Sequence, residues 1–165
     1  MSDLASIVEL IRYGEAANDL VMASVVPLTD AQLDRPLDLG MGSLRKICQH
    51  LLAGEVTWLA RTSGQAEVKW PARPIPESPT EMRALFDQVA HERQALLRGI
   101  SDEQLNRVQR YRDSKGSLFQ ATLRNMLLQM ILHATHHRAQ AVNALRRVGA
   151  AVPEIDYMYQ VREPV

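Results

Sequence analysis

The chain predicts an all-α fold, an antiparallel four-helix bundle forming a single domain over residues 1–165. Three observations carry that prediction. Apolar residues recur at three- and four-residue spacing through four separate stretches, helix-capping residue types stand at the ends of those stretches, and no convincing set of alternating strand patterns accompanies them.

The first helix is expected over residues 4–25, where Leu4, Val8, Ile11, Met22 and Val25 share a stripe that Glu15 and Asn18 interrupt. The second begins after Ser43, a good N-cap, and runs through "LRKICQHLLAGEVTWLARTSG" to Ser63 and Gly64, with His50 in its middle. The next segment, "QAEVKWPARPIPESPTE", holds four of the eight prolines, which excludes regular helix and predicts a long crossover. At its end Ser78, Pro79 and Glu81 form a capping-box pattern that opens a third helix, expected to stop at Gly99. A similar pattern, Ser117 with Gln120, opens the fourth and longest helix, predicted over 118–149 and closed by Gly149 with Pro153 beyond. The intervening "VQRYRDSKGS" reads as a loop or small hairpin. "LTDAQL" at 28–33 and "ISDEQL" at 100–105 read as one-turn capping segments.

Composition narrows the function classes. Lys and Arg balance Asp and Glu at 19 each, and no basic stripe is evident, which disfavours nucleic acid as a partner. No apolar run approaches the ~18 residues that span a bilayer. The single cysteine, Cys48, has no partner for an intramolecular disulfide, and "MSDLASIVEL" lacks the pattern of a signal peptide, so a cytoplasmic protein is expected.

Three of the five histidines fall within "LHATHHRAQ", residues 132–140. At ~100° per residue, His133 and His137 lie on the apolar stripe of the fourth helix with Met126, Met130, Ala134 and Ala141, one turn apart, so that both rings reach a common point. His136 projects about a quarter-turn away, onto a solvated face. Hydrogen-bonded core histidines would explain the stripe as well, although burying both rings leaves several nitrogens needing partners. His50 borders the apolar face of the second helix and could meet the pair across the core. One turn later, Gly54 permits close approach of a neighbour. Three neutral imidazoles suit Zn2+, Ni2+ or another first-row divalent ion and leave a coordination position free, as in catalytic sites.

Other polar residues look less promising. His91 reads as ordinary surface, Cys48 points ~160° from His50 on an ideal helix, and Glu55 is similarly turned away. Asn18 suits either a supporting role beside a metal or a helix-packing hydrogen bond. Trp58 and Trp70 read as packing residues.

Taken together, "IRYGEAANDLVMASV", "GSLRKICQHLLAGEVTWLARTSG" and above all "HATHHRAQ", with its H-x-x-x-H-R-x-Q pattern, resemble the DinB-like (DinB/YfiT-like) metalloprotein family over nearly the whole chain. The resemblance implies an up-down-down-up bundle, frequent homodimerisation, and metal ligation by His50, His133 and His137. Ala139 departs from the glycine common in the family between Arg and Gln, which would add a methyl near the site. The tail "EIDYMYQVR" is similar to the family's closing segment and implies that Asp156 and Tyr157 contribute to a pocket or to dimer contacts.

The function expected from this combination is a metal-dependent enzyme acting on a small molecule. A divalent ion would activate a low-molecular-weight thiol, as the resemblance implies, or water, for attack on an electrophile. Asn18 or Gln140 would position the reacting groups. Hydrolysis is the enzymatic alternative and would need a general base, for which Glu15 is the best choice. A noncatalytic, stress-related metal- or ligand-binding dimer is the alternative of another class.

Overall fold

The computed structural model describes residues 3–164. Four long helices dominate them: α1 (Asp3–Val25), α3 (Leu44–Thr62), α4 (Pro79–Arg98) and α5 (Leu123–Arg147). Between the first two lies the single turn α2 (Asp30–Leu33), whose Thr29 and Gln32 form a full capping box. Ser101 and Gln104 exchange the same pair of hydrogen bonds ahead of a 3-10 turn over Glu103–Asn106. Both short motifs are thus the capping segments that their sequences predict. A last turn, α6 (Met158–Val161), lies in the tail.

Ion pairs fix the helix directions. Asp3 meets Arg124 where α1 and α5 begin, and Gly14 and Asn18 meet Arg138 further along, so these two helices run parallel. Asp19 with Arg83 and Glu15 with Arg93 make α4 antiparallel to α1. Arg45 reaches the carbonyl of Glu77 just before α4, and Glu55 pairs with Arg93, so α3 and α4 run parallel. The order is therefore up, down, down, up. Parallel neighbours demand that the chain travel back a helix length of roughly 28 Å, and the proline-rich stretch between α3 and α4 makes that return. Its Trp70–Pro71 bond is cis.

The helix starts differ from expectation in two places. Ser78 stands at the N-cap of α4 with Pro79 inside the first turn, but its side chain makes no capping bond. The fourth long helix begins five residues later than the Ser117–Gln120 pattern predicts. Residues Leu118–Thr122 instead form strand β2, antiparallel to β1 (Val108–Arg112), and Thr122 caps α5 by accepting from Asn125 N. The pattern failed because Ser117 is engaged in the hairpin turn: its amide donates to Asp113 Oδ1 at 2.9 Å and its carbonyl accepts from Asp113 N at 3.0 Å.

Two apolar clusters fill the bundle. One gathers Met22, Ile47, Leu51, Met82, Val89 and Leu145 near one end, and the other gathers Ile7, Ile11, Leu97, Met126 and Leu127 near the opposite end. Between them runs a polar layer contributed by every long helix. It contains Asn18, Glu55, Arg93, Arg138 and the histidines.

Candidate metal centre

Local sequence explains how three imidazoles meet in this layer. His133 and His137 lie one turn apart on α5, and α3, the helix packed most extensively against α5, presents His50. The ring centroids stand 4.4 Å apart for His50 and His137, 4.5 Å for His133 and His137, and 5.4 Å for His50 and His133. Each residue offers one ligand atom such that all three lie within 4.8 Å of one another. A common zinc-type ion would stand about 2.0–2.1 Å from each ligating nitrogen.

Gly54 makes the convergence possible. A Cβ at this position would lie 2.2 Å from Cε1 and 2.5 Å from Nδ1 of His133, so the ring occupies the space that any larger residue would fill. The close neighbour expected from the glycine is thus the His133 ring.

A hydrogen bond fixes the tautomer of His137. His137 Nδ1 lies 2.8 Å from Gln140 Oε1, and a carbonyl oxygen only accepts, so Nδ1 carries the proton and Nε2 keeps its lone pair. The amide of Gln140 turns its nitrogen to Nε2 of His136 at 3.0 Å. Gly40, in a left-handed turn at φ 53°, brings its backbone so close that a Cβ would stand 2.8 Å from Gln140 Oε1, which closes the loop before α3 over the amide. Gln140 therefore holds the His137 ring, while His136 is exposed as expected and, among the described residues, touches the cluster through that amide and ring contact.

The electrostatics keep the imidazoles neutral. Burial is the largest cause holding all three below the ordinary histidine value. His133 is pushed down to about 4, with the neighbouring His137 and His50 adding to the effect and Glu55 opposing it. Neutral imidazoles are the form that ligates a metal ion.

Asn18 and Glu15 do not reach the histidines. Arg138, only 2 % exposed, donates to Asn18 Oδ1 at 3.2 Å and to Thr135 Oγ1 at 3.0 Å, and Asn18 donates to Glu55 Oε1 at 3.3 Å. Arg93 pairs with Glu55 and, at 2.9 Å, with Glu15, whose other oxygen accepts from Gln94 at 2.8 Å. Burial opposes the charge on Arg93, but the two carboxylates outweigh it and hold the guanidinium above its usual range. Glu15 and Asn18 are therefore members of a buried ion network, and Glu55, turned away from His50 as expected, points into the bundle rather than out of it. The helical stripes Cys48, Leu52, Glu55, Leu59 and Ala134, Arg138, Ala141, Leu145 carry the signal that could have located Glu55 and Arg138, since both repeat at alternating four- and three-residue steps.

Several other expectations are resolved by position. His91 is exposed, and Cys48 is fully buried away from the cluster, with burial pushing its thiol up to about 12. Trp70 is more than packing, because its ring lies 5.4 Å from His50 and 6.2 Å from His133 and forms one wall of the site. Ala139 lines a groove beside Tyr13 and the tail, so its methyl does not enter the histidine cluster. Tyr157 donates to Glu9 and stacks edge-on against Tyr13 at 5.3 Å, while Asp156 accepts from Met158 N at 3.1 Å. Tyr157 therefore docks the tail on α1, away from the histidines, and Asp156 holds a turn within the tail.

Residues 1–163 match the model of the DinB family. YfiT of Bacillus subtilis (strain 168), whose name presents it as a candidate metal-dependent hydrolase, is 29% identical over 139 residues, covering 76% of each chain. Its solved structure, described as an unusual four-helix bundle, aligns at TM-score 0.62 and 23% identity over 87% of both chains. A DinB-like protein from Bacillus cereus ATCC 10987 aligns at TM-score 0.70 and 21% identity, over 90% of this chain and 94% of that one. The match over residues 1–163, with the bundle topology and the three-histidine cluster, leads to one conclusion: the chain belongs to the DinB family.

Proposed function

We propose that His50, His133 and His137 bind a divalent transition-metal ion, zinc or nickel by their donor set, and that the protein is an enzyme using this ion to activate a small thiol or water against an electrophilic small molecule. The observation that carries the proposal is the convergence of three ligand atoms within 4.8 Å on a site made of imidazoles alone. Three protein ligands leave room for an exchangeable one. When bound, such an ion supplies Lewis acidity and makes a coordinated thiol or water a nucleophile at neutral pH.

The chain's own residues prepare the site. Gln140 holds His137 with Nε2 free, Gly54 admits the His133 ring, and Trp70 walls the cluster. The engagement of Glu15 and Glu55 by Arg93 favours the thiol over water, because neither carboxylate is free to take a proton from water. Hydrolysis is retained as a second reading on the strength of the similarity to YfiT. Among the described residues no helix is long and apolar enough to cross a membrane. A homodimer acting in the cytoplasm, without nucleic acid, completes the proposal, and sedimentation of the purified protein tests the dimer.

Elemental analysis of purified protein, followed by assays with thiols plus electrophiles and with esters and amides, provides the test. A stoichiometric divalent metal in the wild type, lost in His137→Ala, is expected. Absence of metal, or retention in that variant, overturns the site. Ester or amide cleavage without thiol transfer selects the hydrolase, and metal without either activity selects a binding protein.

A further inference from the structure

Beside the histidine cluster opens a groove of about 460 Å³ whose walls include Trp58, Trp70, Tyr111 and His133, with Arg61 and Asp113 also lining it. Arg61 is unusual in this setting. It is only 5 % exposed, its guanidinium lies 4.8 Å from the Trp58 ring and 5.2 Å from Tyr111, and its Nε is buried with no hydrogen-bond partner. Among the described residues its guanidinium makes one hydrogen bond, from Nη2 to the carbonyl of Arg112 at 2.6 Å, and no ion pair. Burial holds its pKa below the usual arginine range, with Tyr111 and Asp113 opposing that effect. Asp113 is held elsewhere: its Oδ1 accepts the amides of Lys115 and Ser117.

A buried guanidinium without a carboxylate partner is unfavourable unless something completes it. Gly54, against which His133 packs, and Arg61 are two turns apart on α3, so about 10 Å of helix separates the cluster from the cation. We propose that the groove binds an elongated small molecule with an apolar body and a single terminal carboxylate, that Arg61 receives the carboxylate, and that the molecule's other end is thereby presented to the histidines. The aromatic walls suit the body, and a planar guanidinium matches a carboxylate's two oxygens. Asp113 in the same groove disfavours a doubly charged phosphate. This specificity rests on the metal site proposed above, and Arg61 acts as its substrate-positioning residue.

The only tryptophans of the chain, Trp58 and Trp70, both line this groove, so intrinsic fluorescence reports its occupation directly. Titrating metal-free and metal-loaded protein with phenylhexanoate, the corresponding amide and phenylhexyl phosphate tests the proposal. The carboxylate should bind about tenfold more tightly than the amide, and Arg61→Gln should abolish that preference. Asp113→Asn, which keeps an oxygen for the turn amides, should strengthen the preference and remains informative if Arg61→Gln does not fold. Equal binding of carboxylate and amide to wild type, persistence of the preference in Arg61→Gln, no change in Asp113→Asn, or tighter binding of the phosphate would each overturn the proposal. A cation retained only to pin the hairpin would leave the carboxylate-to-amide ratio unchanged. Metal content measured on the same samples separates the two proposals: an Arg61-dependent preference in a protein that binds no metal supports the anion site and refutes the metal centre.

Discussion

Two polar clusters share the middle layer of the bundle, and they are built on opposite principles. In the arginine–glutamate cluster each buried charged group finds hydrogen-bond partners: Arg93 pairs with Glu55 and Glu15, while Arg138 bonds the neutral Asn18, Thr135 and the carbonyl of Gly14. In the histidine cluster three rings crowd together with a nitrogen of each within 4.8 Å of the others, and among the described residues only His137 has a side-chain hydrogen bond, to Gln140. A saturated polar cluster organises helices, whereas an unsaturated one beside a groove offers its remaining valence to a ligand. Arg61, aromatic-stacked but unpaired, belongs to the second kind.

The sharpest way to break this contrast is to unbalance the saturated cluster. Arg93→Ala leaves Glu55, only 3 % exposed, with Asn18 as its remaining partner. The expected loss is about 3–5 kcal/mol of folding stability, the range for removing one member of a buried ion pair. Urea unfolding measures it. The triple replacement Glu15→Leu, Glu55→Leu, Arg93→Met should recover only part of that loss, because it removes both carboxylates with their cation but leaves the buried Arg138 without the nearby Glu55 charge. A loss below about 1 kcal/mol for the single variant would mean that water already solvates the network.

Gly54→Ala acts on the other cluster. The added methyl must displace the His133 ring, while alanine in mid-helix gains about 1 kcal/mol over glycine in propensity. Metal affinity is therefore expected to fall roughly 10–100-fold, the scale of a disturbed ligand, with a much smaller change in unfolding free energy. Calorimetric metal titration alongside urea unfolding separates the two quantities. Unchanged affinity would show that the ring has a second position equally able to bind.

Gln140→Leu tests whether the unsaturated cluster depends on its one supporting bond. Loss of the acceptor at 2.8 Å frees His137 to rotate or change tautomer, for an expected tenfold or so weaker metal binding. His136→Ala should change affinity by about twofold at most, since its ring meets the site only through the same amide and an edge contact. Equal effects from the two substitutions would make His136 part of the site.

The histidine cluster was readable because periodicity reports which residues share a helix face, and both His133 and His137 break an apolar stripe where a polar atom is costly. The saturated cluster was much less so. Placing Glu15, Asn18, Glu55 and Arg93 together requires the rotations of three helices about their axes, and α3 is buried on both its His50 side and its Glu55 side, so "turned away from His50" did not mean "turned to solvent". The four long helices, the proline-rich crossover and the two capping segments followed from spacing and turn chemistry. Strand β2 did not, because Ser117 and Gln120 carry capping residue types whose hydrogen bonds are claimed by the hairpin. Arg61 resembled the basic residue common in a last helical turn, and only the packing of β1 against α3 buries it.

The smallest expected effect is a pH dependence that only the unsaturated cluster should show in mildly acid solution. Burial and the neighbouring imidazoles hold folded His133 at about 4, below its ordinary 6.5. As pH falls from about 6.5 toward 4, the unfolded chain takes up a proton that the folded metal-free protein refuses, so stability falls across that window and is fully present above it. His50 and His137, also lowered, add in the same direction. The rings are partly open to solvent, which keeps the slope shallow. Carboxylates with depressed values, Asp34 and Glu92, lose their contribution mainly below their ordinary 3.8 and 4.5, so the two windows overlap only at the acid end of the histidine one. Urea midpoints of metal-free wild type and His133→Asn between about pH 7 and 5 supply the measurement. The variant should show the flatter profile, and identical slopes would mean that the folded cluster accepts the proton as readily as the unfolded chain does.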